Sequence, residues 1–359
     1  MALQRAPVEH RAVAASLPGV ADLARGHGAA ARRGARDHPL VIHCLPIPTP
    51  FAVGRVNTYL VEDDPLTLVD SGPNSATSLT TLEGALAERG RKVEDLERIV
   101  ITHQHIDHIG LVQILADRSG AEVVALEGLK PWLAQYRDGM EADDAFAEAI
   151  MARNGIPEDV RMALRSVSSA FRAWGAAATV TSTVREGDTI GFADRTWTVH
   201  HRPGHSPSDT VFHDAERGEL IAGDHLIKHI SSNPLISRPL DGGAGARPQA
   251  LVIYLESLAQ TRAMDLARVL PGHGEEIRGH RPLIEERFRL HERRARKLLG
   301  LIAERPRTAY ELAQAMWGNV AVTQAYLTLS EVLGHVDLLR NDGHVTEVED
   351  DGVARFAVA

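Results

Sequence analysis

Three imidazoles and one carboxylate lie within six residues of one short segment. The segment runs from Thr102 to Gly110 and contains His103, His105, Asp107 and His108. It directly follows Ile99-Val100-Ile101, an apolar β-branched run that is typical of a buried strand. A strand that ends in such a cluster directs side chains from the carboxyl edge of a sheet into a cleft, where open α/β layers hold their ligands. Because imidazole and carboxylate together suit zinc and similar divalent ions, the segment predicts a metal site.

The spacing of these four residues predicts two neighbouring pockets. His103 and His105 point the same way while the chain is extended, because side chains two residues apart share one face of a strand. Asp107 and His108 follow where the chain turns towards a helix. A single histidine is more often an ordinary polar loop residue than a ligand, so the prediction needs further ligands elsewhere in the chain.

Three further candidate ligands occur downstream, each after a short apolar or β-branched run. They are His205, Asp224 and His273. Glycine stands directly before each of them and permits the tight turn that a strand end requires. His225, directly after Asp224, is a weaker candidate for reaching the same cleft. The sequence therefore predicts that ligands from four separate places converge.

This pattern, from about Val41 to about Gly279, resembles that of metallo-β-lactamase-fold hydrolases. The resemblance implies an α/β fold, a four-layer αββα sandwich in which two sheets lie between helices. The implied ligands are His103, His105 and His205 for one metal, Asp107, His108 and His273 for a second, and Asp224 as the bridge between them. The resemblance also implies that Asp70 supports the ligand loop and that Asn57 to Val61 belong to an opening strand pair.

The implied ligand set predicts a pair of divalent ions, with zinc as the default and iron or manganese as alternatives. Two such ions about 3.5 to 4 Å apart can share a hydroxide, because metal binding lowers the pKa of bound water towards about 7. We expect Asp107 and Asp224 to orient this hydroxide for attack on a carbonyl, which makes them the predicted catalytic residues. No serine or cysteine nucleophile is then required.

The nucleophile is better defined than the bond that it cleaves. Relatives with this ligand set cleave thioesters, lactones, β-lactams, phosphodiesters and sulfates. An apolar helical insertion and an acidic chain favour an acyl substrate, so the first hypothesis is a thioester hydrolase resembling hydroxyacylglutathione hydrolases. Lactone or carboxylic ester hydrolysis is the second. An endoribonuclease resembling relatives with a C-terminal winged helix, and a regulator with a vestigial metal site, complete the alternatives.

Composition divides the chain into three predicted parts. Residues 1–38 are rich in Ala, Arg and Gly and are predicted to be a loosely ordered N-terminal extension. Residues 39–279 are the predicted catalytic domain, in which residues 129–178 change to helix formers with scattered large apolar side chains. We interpret this helical insertion as a lid over the cleft. Residues 280–359 predict three helices and a hairpin at Val345 to Val348, a winged-helix-like domain.

Charge argues against nucleic acid as a partner. The formal net charge is -9 and the pI is near 6.1, which disfavours broad capture of phosphate backbones or anionic membranes. The third helix of the C-terminal domain carries Glu331 and Asp337 against only Arg340, so it would repel DNA or RNA. We interpret this domain as a packing or dimerisation module. The expected partners are a small-molecule acyl substrate and a second copy of the chain.

The single cysteine, Cys44, cannot form an internal disulfide, so a reducing, cytoplasmic location is expected. No apolar run approaches the roughly 20 residues that span a bilayer, and no membrane partner is expected. The chain is 44% hydrophobic and 359 residues long, which is enough to fill the core of one large layered domain and a smaller one.

Overall fold

Apolar β-branched and aromatic runs form two sheets in residues 41–243 and 246–359, the residues that this computed structural model describes. The first sheet contains β1 (Ile42–Ile47), β2 (Val56–Val61), β3 (Thr67–Val69), β4 (Arg98–Val100), β5 (Glu122–Leu126) and β6 (Ser182–Val184). The second contains β7 (Thr189–Gly191), β8 (Thr196–His201), β9 (Thr210–Asp214), β10 (Glu219–Gly223) and β11 (Arg268–Pro271). The predicted N-terminal extension, residues 1–38, lies outside the described residues.

Helices occupy the segments between and after these strands. In chain order they are α1 (Ala76–Ala87), α2 (Ile106–Ile109), α3 (Val112–Ser119), α4 (Leu129–Ala134), α5 (Tyr136–Arg153), α6 (Glu158–Phe171), α7 (Ala250–Ala263), α8 (His280–Glu304), α9 (Ala309–Trp317), α10 (Val320–Thr323) and α11 (Ala325–Asn341). Within the described residues, no helix has the length and apolarity to cross a membrane.

The order of strands along each sheet follows the chain. In the first sheet β1, β2 and β3 pair antiparallel, and β3, β4, β5 and β6 pair parallel. In the second sheet only β10 and β11 are parallel. Parallel neighbours need crossover connections, and α1 and α3 supply two of them. As a result the ends of β3 and β4 point to the same edge of the sheet.

Strand residues alternate between two apolar cores. Ile99 of β4 packs in the core beneath α1 and α3, whereas Val100 packs between the two sheets with Trp197 and Phe212. Both faces of the first sheet are covered, which explains why the segment Ile99-Val100-Ile101 is continuously apolar. On the far side of the second sheet, Tyr254 of α7 lies in another apolar cluster. Two sheets between helices confirm the predicted four-layer αββα fold.

The predicted helical insertion, residues 129–178, contains α4, α5 and α6. No residue of α6 is buried. Polar contacts attach this helix to α5: Ser168 Oγ donates to Asp144 Oδ1 at 2.8 Å, and Arg161 pairs with Glu148. The insertion is therefore helical as expected, and α6 combines these polar contacts with partly buried apolar side chains, Val160 and Leu164, that pack against an apolar core.

The last part of the chain contains α8 to α11 and a hairpin of β12 (Val345–Asp350) and β13 (Val353–Val358). Thr308 caps α9 as predicted: its hydroxyl accepts from the Glu311 amide, and the Glu311 carboxylate accepts from the Thr308 amide. The structure differs from the three predicted helices, because the chain breaks at Gln324 and forms two helices, α10 and α11, in place of the third. The domain boundary at residue 279 stays a prediction.

A buried histidine pair links α8 to α11. His291 Nδ1 lies 3.2 Å from His335 Nε2, and His335 Nδ1 donates to the Glu331 carbonyl at 2.6 Å. Together with Glu331 they form a group of donor atoms that could hold a metal ion. However, Arg294 already pairs with the Glu331 carboxylate, and a hydrogen bond from His291 to His335 explains the contact. We interpret this grouping as structural.

This pair predicts that the protein loses stability in acid. Burial, with the neighbouring His335 and Arg294, lowers the pKa of His291 to about 3. The unfolded chain takes up a proton below about pH 6.5 and the folded chain does not, so the free energy of unfolding falls as pH decreases from 6.5 towards 3. We expect His291→Leu to reduce the slope between pH 5.5 and 4.5 by up to about 1.4 kcal/mol per pH unit. Urea titrations at several pH values measure it, and the exposed His344, changed to Gln, is the control. Equal slopes for wild type and His291→Leu would refute this assignment.

Candidate metal centre

The ends of four strands bring the predicted ligands together. The chain leaves β4 at Val100, and His105 then caps the start of α2, which carries Asp107 and His108. His205 lies in the turn after β8, Asp224 directly after β10 and His273 directly after β11. All seven predicted ligands fall into two adjoining groups of donor atoms. The convergence expected from the sequence is present in the structure.

The first group is formed by three imidazoles. His105 Nδ1 lies 3.1 Å from His103 Nε2 and 2.9 Å from His205 Nε2. Asp224 Oδ2 lies 3.5 Å from the same nitrogen of His205. All four donor atoms lie within 4.8 Å of one another, a spacing that suits ligands placed about 2 Å from one shared ion.

The second group contains Asp107, His108 and His273. His273 Nε2 lies 3.3 Å from Asp107 Oδ2 and 3.4 Å from Asp224 Oδ2. The other oxygen of Asp224 lies 3.5 Å from His108 Nε2. Asp224 therefore faces both groups, which is the position that a bridging carboxylate requires.

The outer nitrogens of three histidines show which nitrogen is free to bind a metal. His108 Nδ1 donates to Asp70 Oδ2 at 2.7 Å, His273 Nδ1 to the Arg55 carbonyl at 2.8 Å, and His205 Nδ1 to the Asn233 carbonyl at 3.1 Å. Carbonyl and carboxylate oxygens only accept, so each Nδ1 carries a proton. The opposite Nε2 then presents its lone pair to the cluster, as in metal-binding histidines.

Asp70 organises the remaining part of the ligand loop. Thr102 donates its amide to Asp70 Oδ1 at 2.9 Å and its hydroxyl to Asp70 Oδ2 at 2.8 Å. Since the hydroxyl has one proton, its oxygen accepts from His103 Nδ1 at 3.0 Å. Asp70 itself has φ of 59°, a left-handed conformation that costs energy in a non-glycine residue. The structure thus places Asp70 behind the ligands, where the resemblance implied.

The donor set fits divalent cations. Three buried atoms that face the cluster have no hydrogen-bond partner among the described residues: His108 Nε2, His273 Nε2 and Asp224 Oδ1. A buried polar atom without a partner costs about 1 to 3 kcal/mol. Cations coordinated by these atoms satisfy all three at once. Imidazole nitrogens with carboxylate oxygens are ligands that zinc accepts.

Burial and mutual repulsion keep two imidazoles of the first group, His103 and His105, neutral. Burial, reinforced by the neighbouring histidines, lowers the pKa of His103 well below its usual range and that of His105 to about 3. In the second group burial acts the same way on His273, but the carboxylates of Asp224 and Asp107 outweigh it and raise its pKa to about 10. A cation that binds the second group would therefore displace the extra proton of the His273 imidazole.

The loop that carries His273 is fixed from outside the cluster. Asn57 Nδ2 donates to the carbonyls of Pro271 at 3.0 Å and Gly274 at 2.9 Å, and the Tyr59 hydroxyl donates to Pro271 at 2.6 Å. The loop lies so close to the cluster that a Cβ on Gly272 would be 2.2 Å from Asp224 Oδ1. The sequence showed a glycine beside His273 but gave no sign of this close contact.

One other sequence-derived candidate lies differently. His225 is directed away from the cluster: its Nε2 contacts Thr261 Oγ1 at 2.8 Å in the core under α7, so this weaker candidate does not reach the cleft. Ser232 and Asn233, in the loop after Asp224, are engaged in structure. Ser232 donates to the Asp224 carbonyl at 2.5 Å, and the Asn233 carbonyl accepts from His205.

A cavity of about 560 Å³ opens onto the cluster, within the usual size range of small-molecule sites. Its apolar lining comes from the loop between β1 and β2, from the insertion, and from the segments around Ile230 and Leu327; examples are Phe51, Trp132, Met140, Phe146, Ile230 and Leu327. Phe51 also packs edge to face on Phe171 of α6, with ring centroids 5.5 Å apart.

The cavity carries little net charge outside the cluster. Among the described residues that line it, Arg238 is the only lysine or arginine. Its Nε donates to Asp143 Oδ1 at 2.9 Å, and the Trp132 indole donates to the other oxygen of that carboxylate at 3.0 Å. The cation is therefore neutralised within the wall.

Comparison with known proteins agrees with this architecture. The family model described as Metallo-beta-lactamase superfamily matches residues 52–273. A Bacillus subtilis (strain 168) protein named probable metallo-hydrolase YqjP is 34% identical over 310 residues, which are 86% of this chain and 95% of that protein. The human acyl-coenzyme A thioesterase MBLAC2 is 29% identical over 177 residues, 47% of this chain and 58% of that protein.

A solved structure shows the same fold along most of the chain. The metallo-beta-lactamase family protein from Thermus thermophilus has a TM-score of 0.73 and 25% identity, and the match covers 89% of this chain and 98% of that one. The family match covers more than half of the chain and contains all seven clustered side chains. This chain therefore belongs to the metallo-beta-lactamase superfamily.

Proposed function

We propose that this protein is a metal-dependent hydrolase that cleaves acyl thioesters, with esters and lactones as secondary substrates. The observation that carries the proposal is a cluster of seven ligand side chains at one wall of an otherwise mostly apolar cavity. Membership of the superfamily supports metal-dependent hydrolysis. The apolar lining and the similarity to an acyl-coenzyme A thioesterase support the acyl group.

The two groups of donors are proposed to hold two divalent ions, zinc by default and iron or manganese as alternatives. His103, His105 and His205 would hold one, Asp107, His108 and His273 the other, and Asp224 would contact both. Bound ions of this kind lower the pKa of water towards neutrality and polarise carbonyl oxygens. The fit rests on the protonated outer nitrogens, which leave the inner lone pairs for the ions.

The chain's own groups account for the rest of the reaction. Asp107 and Asp224 line the cavity together with His105, His205 and His273, and we propose that their carboxylates accept hydrogen bonds from the attacking water and orient it. The carbon–sulfur bond then breaks, the thiol leaves with a proton from the consumed water, and the acid product retains the oxygen. The apolar walls exclude other water from the acyl group.

The acyl chain is proposed to lie along the apolar side chains of the insertion and of the segments around Ile230 and Leu327. Because Arg238 is already paired with Asp143, the wall offers no free positive charge to a strongly anionic acyl group. We therefore propose a thioesterase of the hydroxyacylglutathione hydrolase-like kind, and the paired state of Arg238 argues against a polyanionic acyl group.

The C-terminal helices and hairpin are proposed to be a winged-helix-like packing module, with a homodimer as the expected assembly. In the described residues Asp337 accepts two hydrogen bonds of 2.7 Å from Arg247, and Glu331 pairs with Arg294. The two carboxylates of α11 therefore pair with arginines of the same chain. We propose that it binds no nucleic acid, and the endoribonuclease hypothesis receives no support from this region.

A matched substrate series tests the proposed activity. We expect the zinc-loaded full chain to hydrolyse the S-decanoyl thioester of N-acetylcysteamine faster than it hydrolyses γ-decalactone or ethyl decanoate. No turnover of bis(p-nitrophenyl) phosphate is expected. In a thioester series from acetyl to decanoyl, kcat/KM should rise by up to about fourfold per added methylene until the cavity is filled. Preferred cleavage of the phosphodiester would contradict the proposal.

A change in the cavity wall tests where the acyl chain lies. Ile230 lines the cavity and is 40% exposed, so Ile230→Ser removes apolar contact without emptying the core. We expect kcat/KM for the decanoyl thioester to fall by about fivefold and that for the acetyl thioester to stay unchanged. Met162→Ser, on the exposed side of α6, should leave both unchanged. An equal loss for both thioesters would argue against this placement.

A further inference from the structure

Gln104 lies between the ligands His103 and His105 and lines the cavity together with Asp107 and Asp224. The residue is 8% exposed, so a glutamine is held with little solvent access in a cavity whose lining is mostly apolar. A buried amide needs partners for both its oxygen and its nitrogen. Among the described residues, the amide oxygen has a partner and the amide nitrogen does not.

The amide oxygen is bound to Ser208, which is fully buried. Ser208 Oγ accepts from the Gln104 main-chain N–H at 3.1 Å, and its own hydroxyl contacts Gln104 Oε1 closely. A hydroxyl has one proton, and the alternative acceptor, Ser206 Oγ, is 3.4 Å away. The proton therefore goes to Gln104, and this assigns Oε1 as the atom that faces Ser208.

The same hydroxyl is fixed by a chain of polar groups that ends at a buried carboxylate. Asp209 accepts from the Ser206 amide at 2.8 Å and from the Ser206 hydroxyl at 2.7 Å. Ser206 Oγ in turn accepts from the Ser208 amide at 3.2 Å. Because Asp209 accepts the Ser206 hydroxyl proton, Gln104 Oε1 is the closer acceptor for the Ser208 hydroxyl, and this contact orients the amide with Nε2 away from Ser208.

The amide nitrogen of Gln104 is the atom left without a hydrogen-bond partner in the described part of the chain. Within the described residues Gln104 Nε2 makes no hydrogen bond, and its side chain lines the cavity beside His105 and His205. In the loop after Asp224, the other polar wall, Ser232 and Asn233 make contacts within the protein. Ser231, which also lines the cavity, has a buried hydroxyl without a partner among the described residues. Gln104 therefore supplies a neutral donor beside the cluster, in a position fixed before any substrate binds.

We propose that Gln104 Nε2 donates a hydrogen bond to the carbonyl oxygen of the bound acyl group and to the carboxylate of the acid product. This inference rests on the proposed acyl hydrolase function and adds a substrate-contacting residue outside the metal ligands. The donor gains strength as negative charge develops on the oxygen, so it favours the transition state over the substrate. Ser208 acts as the positioning residue that directs the nitrogen into the cavity.

Two variants separate the donor from the link to Ser208. Gln104→Glu keeps an oxygen to accept from Ser208 but replaces the nitrogen with an acceptor. Gln104→Met removes both groups at similar size without adding charge. Gln314→Met, on the exposed surface of α9, makes the same chemical change away from the site. Zinc content is measured for each protein, and decanoate binding and kcat are expressed per zinc-loaded site.

The experiment measures binding of decanoate to the zinc-loaded full chain by calorimetry, and hydrolysis of the S-decanoyl thioester. We expect both Gln104 variants to bind decanoate roughly tenfold more weakly than wild type and to lose on the order of 10²-fold in kcat, with a smaller change in KM. Gln314→Met should match wild type.

Each outcome decides the inference. Wild-type binding of decanoate by zinc-loaded Gln104→Met overturns it, and wild-type behaviour of Gln104→Glu alone shows that the link to Ser208, not the donor, is what matters. Failure of the wild-type protein to bind decanoate also overturns it. If wild type binds decanoate and the variants do not, while no thioester is hydrolysed, the contact stands and the proposed activity fails.

Discussion

Asp224→Ala is expected to lose bound metal and turnover together. Asp224 faces His205, His108 and His273 at 3.4 to 3.5 Å, so its removal leaves each group of donors without the carboxylate that they share. Loss of metal assistance removes several kcal/mol of transition-state stabilisation. We therefore expect thioester hydrolysis to fall by at least roughly 10³-fold and the zinc content to fall below that of wild type.

The control for this prediction is Asp265→Ala, since that carboxylate is fully exposed and lies outside the cluster. Thermal unfolding of both variants separates loss of metal from loss of fold. Zinc content and kcat/KM that stay at wild-type values in Asp224→Ala would remove this residue from the site and the bridging role with it.

Gly272→Ala is expected to disrupt the same centre by adding one methyl group. The new Cβ would lie 2.2 Å from Asp224 Oδ1 and 2.9 Å from His108 Cε1. Both distances are shorter than the 3.0 Å below which Cβ atoms in proteins essentially never approach other heavy atoms. Either the side chains of Asp224 and His108 move or the loop bearing His273 does. A displacement of about 1 Å at a reacting centre costs on the order of 10² in rate, and overpacking costs about 1 to 3 kcal/mol of stability.

Gly84→Ala is the matched control, because a Cβ at Gly84 in α1 meets no atom within 4 Å. Removing a glycine from a helix interior should raise the free energy of unfolding by about 0.5 to 1 kcal/mol and leave zinc content and turnover unchanged. If Gly272→Ala retained full activity and two zinc ions per chain, the close approach of this loop to Asp224 would be wrong.

The sequence was sufficient for the parts of the site that depend on local pattern. Apolar runs followed by histidine or aspartate and glycine mark strand ends, and the alternation of His103 and His105 separates the two groups of donors. Asp70 was also expected, as an implication of the family resemblance. These features are local in the chain, so they are visible without knowledge of how distant segments pack.

Features that depend on packing between distant segments were not visible. The direction of His225 is set by Thr261 in α7, and the need for glycine at position 272 is set by Asp224. The sequence also predicted one continuous third helix in the C-terminal region, whereas the chain breaks at Gln324. Neither the spacing nor the composition around Gln104 and Ser208 indicated that a chain of hydrogen bonds would orient the amide.

The central claim is that seven side chains hold a pair of divalent cations. Anomalous scattering from crystals of the zinc-reconstituted full chain, recorded on both sides of the zinc absorption edge, tests it most directly. The account predicts two peaks per chain, one beside His103, His105 and His205 and one beside Asp107, His108 and His273, with Asp224 contacting both. Zinc bound only at other residues, or no zinc beside Asp224 in a protein that still hydrolyses thioesters, would contradict it.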